Sequence, residues 1–184
     1  MRTRLSLLPL LLVFAVLLGG ADGCSSDPNV ESAKLALRQE NFDEARSQLD
    51  RALETNPENV EALALKAEVV RTQMDKAPVV RRGEYVADLR SAIETAVRVA
   101  PADPDVMSAK RNGWAALMNN GNATLTSEAT PASDAVPFFE GAVAIMPDSS
   151  GSHFSLGLAQ LLNENTNGAA SSFQTALRLE PGYT

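Results

Sequence analysis

The chain has 184 residues, with 16 lysines and arginines against 23 aspartates and glutamates, a formal net charge of −7. An acidic balance of this size argues against nucleic acid as a partner and against charge-driven binding to anionic lipid. The composition is 45% hydrophobic but only 5% aromatic, which favours close-packed helices over a β-sandwich, whose strands prefer aromatic and β-branched residues. The length is consistent with one domain.

The first 23 residues have the layout of a secretory signal peptide. Arg2 and Arg4 form a positive segment, a 14-residue apolar run broken only by Ser6 and Pro9 spans positions 5–18, and small residues follow at positions 19–21 and 23. The run is too short to serve comfortably as a mature membrane span. Its removal leaves 14 basic and 22 acidic residues, a charge of −8.

The single cysteine, Cys24, lies where the small residues end. A lone cysteine in an exported chain cannot form an internal disulfide. The stretch ADGCSS resembles a bacterial lipobox, which implies lipidation of Cys24 and anchoring in the cell envelope. Ser25 in place of Asp then favours the outer membrane, facing the periplasm. Ala21 and Asp22 depart from the usual lipobox residues, and Ala21 and Gly23 also suit ordinary signal peptidase, so a secreted or periplasmic chain with a free or intermolecular cysteine stays open. Residues 24–28 form a short linker in either case.

Residues 29–184 contain a repeat that ends in a proline four times. The four units end at Pro57, Pro101, Pro147 and Pro181, and the Ala, Leu, Gln, Arg and Glu content between them favours helix. Small residues recur at shared spacings, with Leu89 as the exception; the matching positions are Ala33, Ala45 and Ala52; Ala67, Leu89 and Ala96; Gly113, Ala135 and Ala142; and Gly157, Ala169 and Ala176.

On these residues the chain resembles the tetratricopeptide repeat (TPR) family, whose unit is a 34-residue helix-turn-helix. The signature is strongest in NFDEARSQLDRALETNPEN and GAASSFQTALRLEPGY. Ser32, where Leu is usual, and Leu89, where Ala is usual, depart from it. The resemblance implies an all-α, right-handed α-solenoid of about four TPR-like units over residues 29–184.

The two middle units are each longer by ten residues. The spacing from Ala67 to Leu89 and from Gly113 to Ala135 is 22 residues, against 12 from Gly157 to Ala169. Both insertions fall between the first and second helices of their unit. The first is compatible with helix extension on either side of Pro78, whereas the second, NGNATLTSEATP, is predicted to be a loop. Pro137 then falls in the first turn of the next helix if Asp134 caps it.

The inventory of catalytic groups is thin. His153 is the only histidine, so Cys/His catalysis and histidine-rich metal sites are nearly excluded, and no phosphate-binding glycine loop follows a strand. Ser152 and His153 are neighbours in the sequence, and this adjacency alone does not indicate a catalytic triad. We therefore expect no enzyme activity, no cofactor and no metal.

The TPR resemblance implies that the first helices line a concave groove. The residues at the family's groove positions are Val30, Lys34, Leu37 and Arg38 in unit 1; Glu61, Ala64, Glu68, Arg71 and Thr72 in unit 2; Met107, Lys110, Trp114, Leu117 and Met118 in unit 3; and Gly151, Phe154, Leu158, Leu161 and Leu162 in unit 4. The nine that we select as partner-binding candidates are Lys34, Arg38, Glu68, Arg71, Lys110, Trp114, Met118, Phe154 and Leu158. Packing of Trp114 and its apolar neighbours in the core is the alternative for each residue.

These features predict an envelope-anchored scaffold that binds a protein or peptide partner in its groove, for instance in outer-membrane, secretion or pilus assembly. The alternative is a carrier of a lipid or small apolar ligand in the same groove. The last predicted helix carries Phe173 and Leu177 on the face that normally meets a following helix. Either Tyr183 folds back over that face, or it docks on another copy or on a partner.

Overall fold

The computed structural model describes residues 27–182, and that part of the chain contains eight α-helices and no strand. The helices are α1 (Pro28–Arg38), α2 (Phe42–Thr55), α3 (Val60–Lys76), α4 (Val86–Val99), α5 (Pro104–Leu125), α6 (Val136–Ile145), α7 (Ser150–Leu162) and α8 (Thr166–Leu179). Short 3₁₀ turns at Val79–Tyr85 and Ala132–Ala135 precede α4 and α6. The predicted signal peptide, Cys24 and Tyr183 lie outside the described residues.

The helices form four hairpins in series, α1–α2, α3–α4, α5–α6 and α7–α8, which we call units 1 to 4. Each helix packs on its sequence neighbour, and the first helix α3 also packs on α1 and on α5. The largest core cluster lies between α3, α4, α5 and α6 and includes Met74, Leu89, Ile93, Leu117 and Phe138, all almost fully buried. The predicted all-α solenoid of four TPR-like units is confirmed.

The unit-ending prolines terminate the second helices in one repeated geometry. The residue before each proline is Asn56, Ala100, Met146 or Glu180, with φ between −129° and −140° and ψ between 71° and 92°. Proline disfavours helical geometry in the residue before it, which is why each helix ends there. In each case the backbone N–H of that residue still donates to the carbonyl of the alanine four residues earlier.

Helix starts follow two patterns. Six helices begin with a side chain that accepts a backbone N–H of the first turn, a stabilising cap; the capping residues are Asp27, Asn41, Asn59, Asp103, Ser149 and Asn165. The exceptions are α4 and α6, which are entered through the 3₁₀ turns. Pro137 lies in the first turn of α6 as expected, but Asp134 does not cap it, because the cap position falls at Ala135.

Half of the second insertion is helix rather than the predicted loop. The α5 helix continues through Asn120 and Gly121 to Leu125, and the remaining residues up to Pro131 form the turn. Tertiary packing accounts for the difference: Asn120, Gly121 and Thr124 are buried, and a β-carbon on Gly121 would lie 2.7 Å from Phe139 Cζ. The glycine lets α5 and α6 approach closely, so it supports the helix here instead of breaking it.

The first insertion is divided between a longer α3 and the 3₁₀ turn, on either side of Pro78. The two insertions contact each other. Arg82 donates to Asn120 Oδ1 at 2.9 Å, and Asn120 Nδ2 donates to Asp75 Oδ1 at 2.9 Å. Asn120, which is only 3% exposed, is the buried member of this network, which joins units 2 and 3.

Within residues 27–182, no helix is both long and apolar enough to cross a membrane. The same part of the chain contains no group of three or more His, Cys, Asp or Glu side chains placed to hold a metal ion.

Candidate functional site

A groove of about 390 Å³ lies between the first helices of units 1 to 3. It arises because α3 presents one face at helical spacing between α1 and α5. The lining residues are Lys34 from α1; Glu61, Ala64, Leu65, Ala67, Glu68 and Arg71 from α3; and Asp105, Ser108, Ala109 and Asn112 from α5. Alanine and leucine side chains form its floor, and charged and polar groups surround them. We call this cavity the groove.

Lys34 is held in place at one end of the groove. Its Nζ lies 2.7 Å from Glu31 Oε1 on the same helix and 2.6 Å from Glu61 Oε1 on α3. The hydrogen bond to Glu31, and then the one to Glu61, raises the pKa of Lys34 above its ordinary value. The ammonium group therefore stays charged at neutral pH and ties α1 to α3.

The opposite end of the groove is charged as well. Arg71 Nη1 lies 2.9 Å from Asp75 Oδ2, one turn further along α3. Among residues 27–182, the carboxylates of Glu68 and Asp105 take part in no ion pair. Both are exposed, so each remains able to accept hydrogen bonds from a partner.

Three of the nine partner-binding candidates line the groove: Lys34, Glu68 and Arg71. Arg38 is exposed at the end of α1, and Lys110 is half-buried on α5, outside the groove lining. Trp114 and Met118 are partly buried against the core clusters. Phe154 and Leu158 lie exposed on α7, where the ring of Phe154 is 5.5 Å from that of Phe173.

Two further groove-position residues are core residues instead. Val30 and Leu117 are 0% exposed, because α2 and α6 cover the sides of α1 and α5 on which they lie. The family positions identify the groove residue of α1 and most of those of α3, but they miss the lining residues of α5. Asp105, Ser108 and Asn112 are three of these, and their spacing of three and four residues along PDVMSAKRN is the signal that could have identified them.

Ser152 and His153 have separate structural roles. The Ser152 hydroxyl is buried, accepts the Trp114 indole N–H at 2.8 Å and donates to Ser149 Oγ at 2.9 Å. His153 Nε2 lies 2.9 Å from the carbonyl of Pro147. The serine thus joins α5 to α7, and the histidine contacts the preceding turn, so the geometry does not assemble a nucleophile with a base.

The stacked hairpins and the groove between their first helices define the class of the protein as a helical-repeat solenoid with a concave cavity. The tetratricopeptide repeat family model matches residues 30–105. That match spans units 1 and 2 and reaches the start of α5. It supports a relationship between this chain and the TPR family.

Among solved structures, the chain is similar to MamA (residues 41 to the end) from Desulfovibrio magneticus RS-1, with 17% identity, 85% of this chain and 78% of that chain covered, and a TM-score of 0.41. It is also similar to YrrB, described as a TPR protein with an unusual peptide-binding site, with 16% identity, 86% and 88% covered, and a TM-score of 0.32. No curated protein matches. The architecture of this chain therefore rests on its own helices and on the family match over residues 30–105.

Proposed function

We propose that this protein is a non-enzymatic scaffold, anchored in the bacterial cell envelope, that binds a segment of a protein partner in the groove. The observation that carries the proposal is the groove itself, an open cavity to which three successive first helices contribute side chains. From Glu61 to Arg71, α3 extends for about 15 Å at 1.5 Å per residue. That length matches an extended segment of roughly four or five residues at 3.3 Å each.

The chemistry of the groove favours a peptide over an apolar ligand. Its lining carries two cationic side chains, Lys34 and Arg71, and three carboxylates, Glu61, Glu68 and Asp105. Covering these charges with a lipid chain would remove them from water without new partners, which is strongly unfavourable. A peptide instead brings backbone N–H and C=O groups and charged side chains that pair with them. Support for the carrier alternative is weaker for this reason.

Glu68 is the sharpest test of this proposal. Peptides selected from a random seven-residue display library against residues 24–184 would be measured by fluorescence polarisation. We expect Glu68→Lys to weaken binding of selected peptides by roughly tenfold, about 1.4 kcal/mol. We also expect binding of the parent chain to fall as ionic strength rises.

Glu58→Lys is the matched control, since Glu58 is an exposed glutamate in the turn between α2 and α3, outside the groove lining. It makes the same change in net charge and should leave the affinity within about twofold, a few tenths of a kcal/mol. Equal loss in both variants, or loss in neither, would contradict the groove assignment.

A further inference from the structure

An exposed apolar surface lies on unit 4, away from the groove. On α7, Phe154, Leu158, Leu161 and Leu162 recur at helical spacing and are 41%, 38%, 47% and 55% exposed. On α8, Leu177 is 49% exposed, and Phe173 is half-buried beside Phe154. We call these six residues the terminal face. Contiguous apolar surfaces of this kind mark interaction sites on soluble domains.

The earlier units show what normally covers this face. Ile93 lies eight residues before its unit-ending proline, as Phe173 does. It is 2% exposed because α5 of the next unit lies over it, so closely that a β-carbon on Gly113 would collide with its Cδ1.

Leu177 lies four residues before its unit-ending proline. The residues at this position in the earlier units are also covered by the next unit. Leu53 packs in a cluster with Leu63 of unit 2, and Val143 packs in a cluster with Leu156 of unit 4. The α8 part of the terminal face, Phe173 and Leu177, therefore occupies positions that pack against a helix of the next unit in the earlier repeats.

The charge distribution makes a second copy of this chain a suitable partner. The chain as a whole carries a net charge of −7, which opposes association of two copies through most of the surface. Within residues 150–182, however, the only charged side chains are Glu164, Arg178 and Glu180. Two terminal faces can approach each other with little electrostatic repulsion.

Within residues 27–182, the remaining surface has no cluster of large exposed apolar side chains to receive this face. Of the other large apolar side chains exposed in residues 27–182, Leu35 lies on α1, Val80 in the 3₁₀ turn and Leu179 at the end of α8. A head-to-tail contact needs two different complementary patches, whereas a two-fold contact uses one patch twice. We propose that the terminal face forms a two-fold, tail-to-tail interface between two copies of this protein.

The area of the terminal face sets the expected affinity of the dimer. The α7 helix has 13 residues and is about 20 Å long, so two helices offer less than the roughly 800 Å² per partner of a standard interface. A weak dimer is expected, with a dissociation constant in the micromolar range, about 1–100 μM.

Sedimentation equilibrium of residues 24–184 tests the proposal, since this range contains all eight helices and the whole groove. Every protein in the series carries Cys24→Ser, so that no intermolecular disulfide contributes. Between about 1 and 500 μM, the average mass should rise towards twice the monomer mass. The double variant Leu158→Arg/Leu177→Arg should remain monomeric throughout, with unchanged helical circular dichroism.

Leu35→Arg is the matched control, because Leu35 is an equally exposed leucine (50%) on the opposite end of the solenoid. It should dimerise as the parent does, and so should Glu68→Lys, which separates this interface from the groove. A parent that stays monomeric over the whole range overturns the proposal. So does a folded double variant that dimerises like the parent, or a parent whose dimer is lost equally in Leu35→Arg.

Discussion

A left-handed residue closes the interhelical turn of the two units that carry no insertion. Glu40 in unit 1 and Glu164 in unit 4 have φ values of 58° and 59°. The residue after each donates its N–H five residues back, Asn41 to Ala36 and Asn165 to Gln160, both at 2.9 Å. This is the Schellman arrangement, whose left-handed position glycine occupies most often. A glutamate there is strained by its own β-carbon.

Replacing Glu164 by glycine should therefore stabilise the chain. Glu164 is exposed and takes part in none of the ion pairs found within residues 27–182, so the substitution removes strain without removing such a contact. We expect Glu164→Gly to raise the free energy of unfolding by about 1 kcal/mol, measured by urea titration. Glu164→Ala keeps the β-carbon and should give no comparable gain. If alanine stabilises as much as glycine, the left-handed strain is not the cause.

At the scale of helices, the two insertions act as a connector between units. They lengthen α3 and α5, and the polar network of Asp75, Arg82 and Asn120 joins the extended ends. Arg82 also donates to the carbonyl of Ala77 at 2.9 Å, which secures the 3₁₀ turn. Because Asn120 is both acceptor and donor in this network, its amide satisfies groups from two other segments at once.

Asn120→Ala should destabilise the junction between units 2 and 3. It removes the acceptor of Arg82 Nη1 and the donor to Asp75 Oδ1, although Arg82 keeps its bond to Ala77 and Asp75 its ion pair with Arg71. We expect a loss of about 1–3 kcal/mol in urea unfolding. Hydrogen exchange should also rise in the 3₁₀ turn that Arg82 holds. Asn119→Ala, one residue away and exposed, should change stability by less than about 0.5 kcal/mol. Similar losses in both variants would show that helix propensity, not the network, is responsible.

At the scale of the whole molecule, the envelope anchoring that we propose depends on lipidation of Cys24. The net charge of −7 disfavours charge-driven binding to anionic lipid. Acyl chains on Cys24 would supply the attachment, at about 0.8 kcal/mol for each buried methylene. The first helix, α1, begins at Pro28, four residues after this cysteine.

We expect Cys24→Ser to move the protein from the membrane fraction to the soluble fraction of a bacterial host. Intact mass spectrometry of the membrane-bound parent should show an acylated cysteine at the mature amino terminus. Ser25→Ala, the neighbouring substitution, should leave both the mass shift and the fractionation unchanged. An unmodified Cys24 in the parent would contradict the lipoprotein proposal.

Local and repeating features were determined by the sequence itself. The prolines and the recurring small residues specified four helical hairpins and where the second helices end, because proline restricts its predecessor wherever the chain places it. Most helix starts can likewise be read from Asp, Asn and Ser, whose side chains cap the following turn without help from distant residues.

The second insertion and the groove depended on contacts between distant residues. The sequence predicts a loop at Gly121, but Phe139 packs closely against this glycine, which lies within α5. Glu68 and Leu117 both occupy groove positions of the family. Only the structure shows that Glu68 lines the groove whereas Leu117 is buried under α6. Tertiary structure decided these points, because whether a side chain lies in the core or at a surface depends on which helix packs over it.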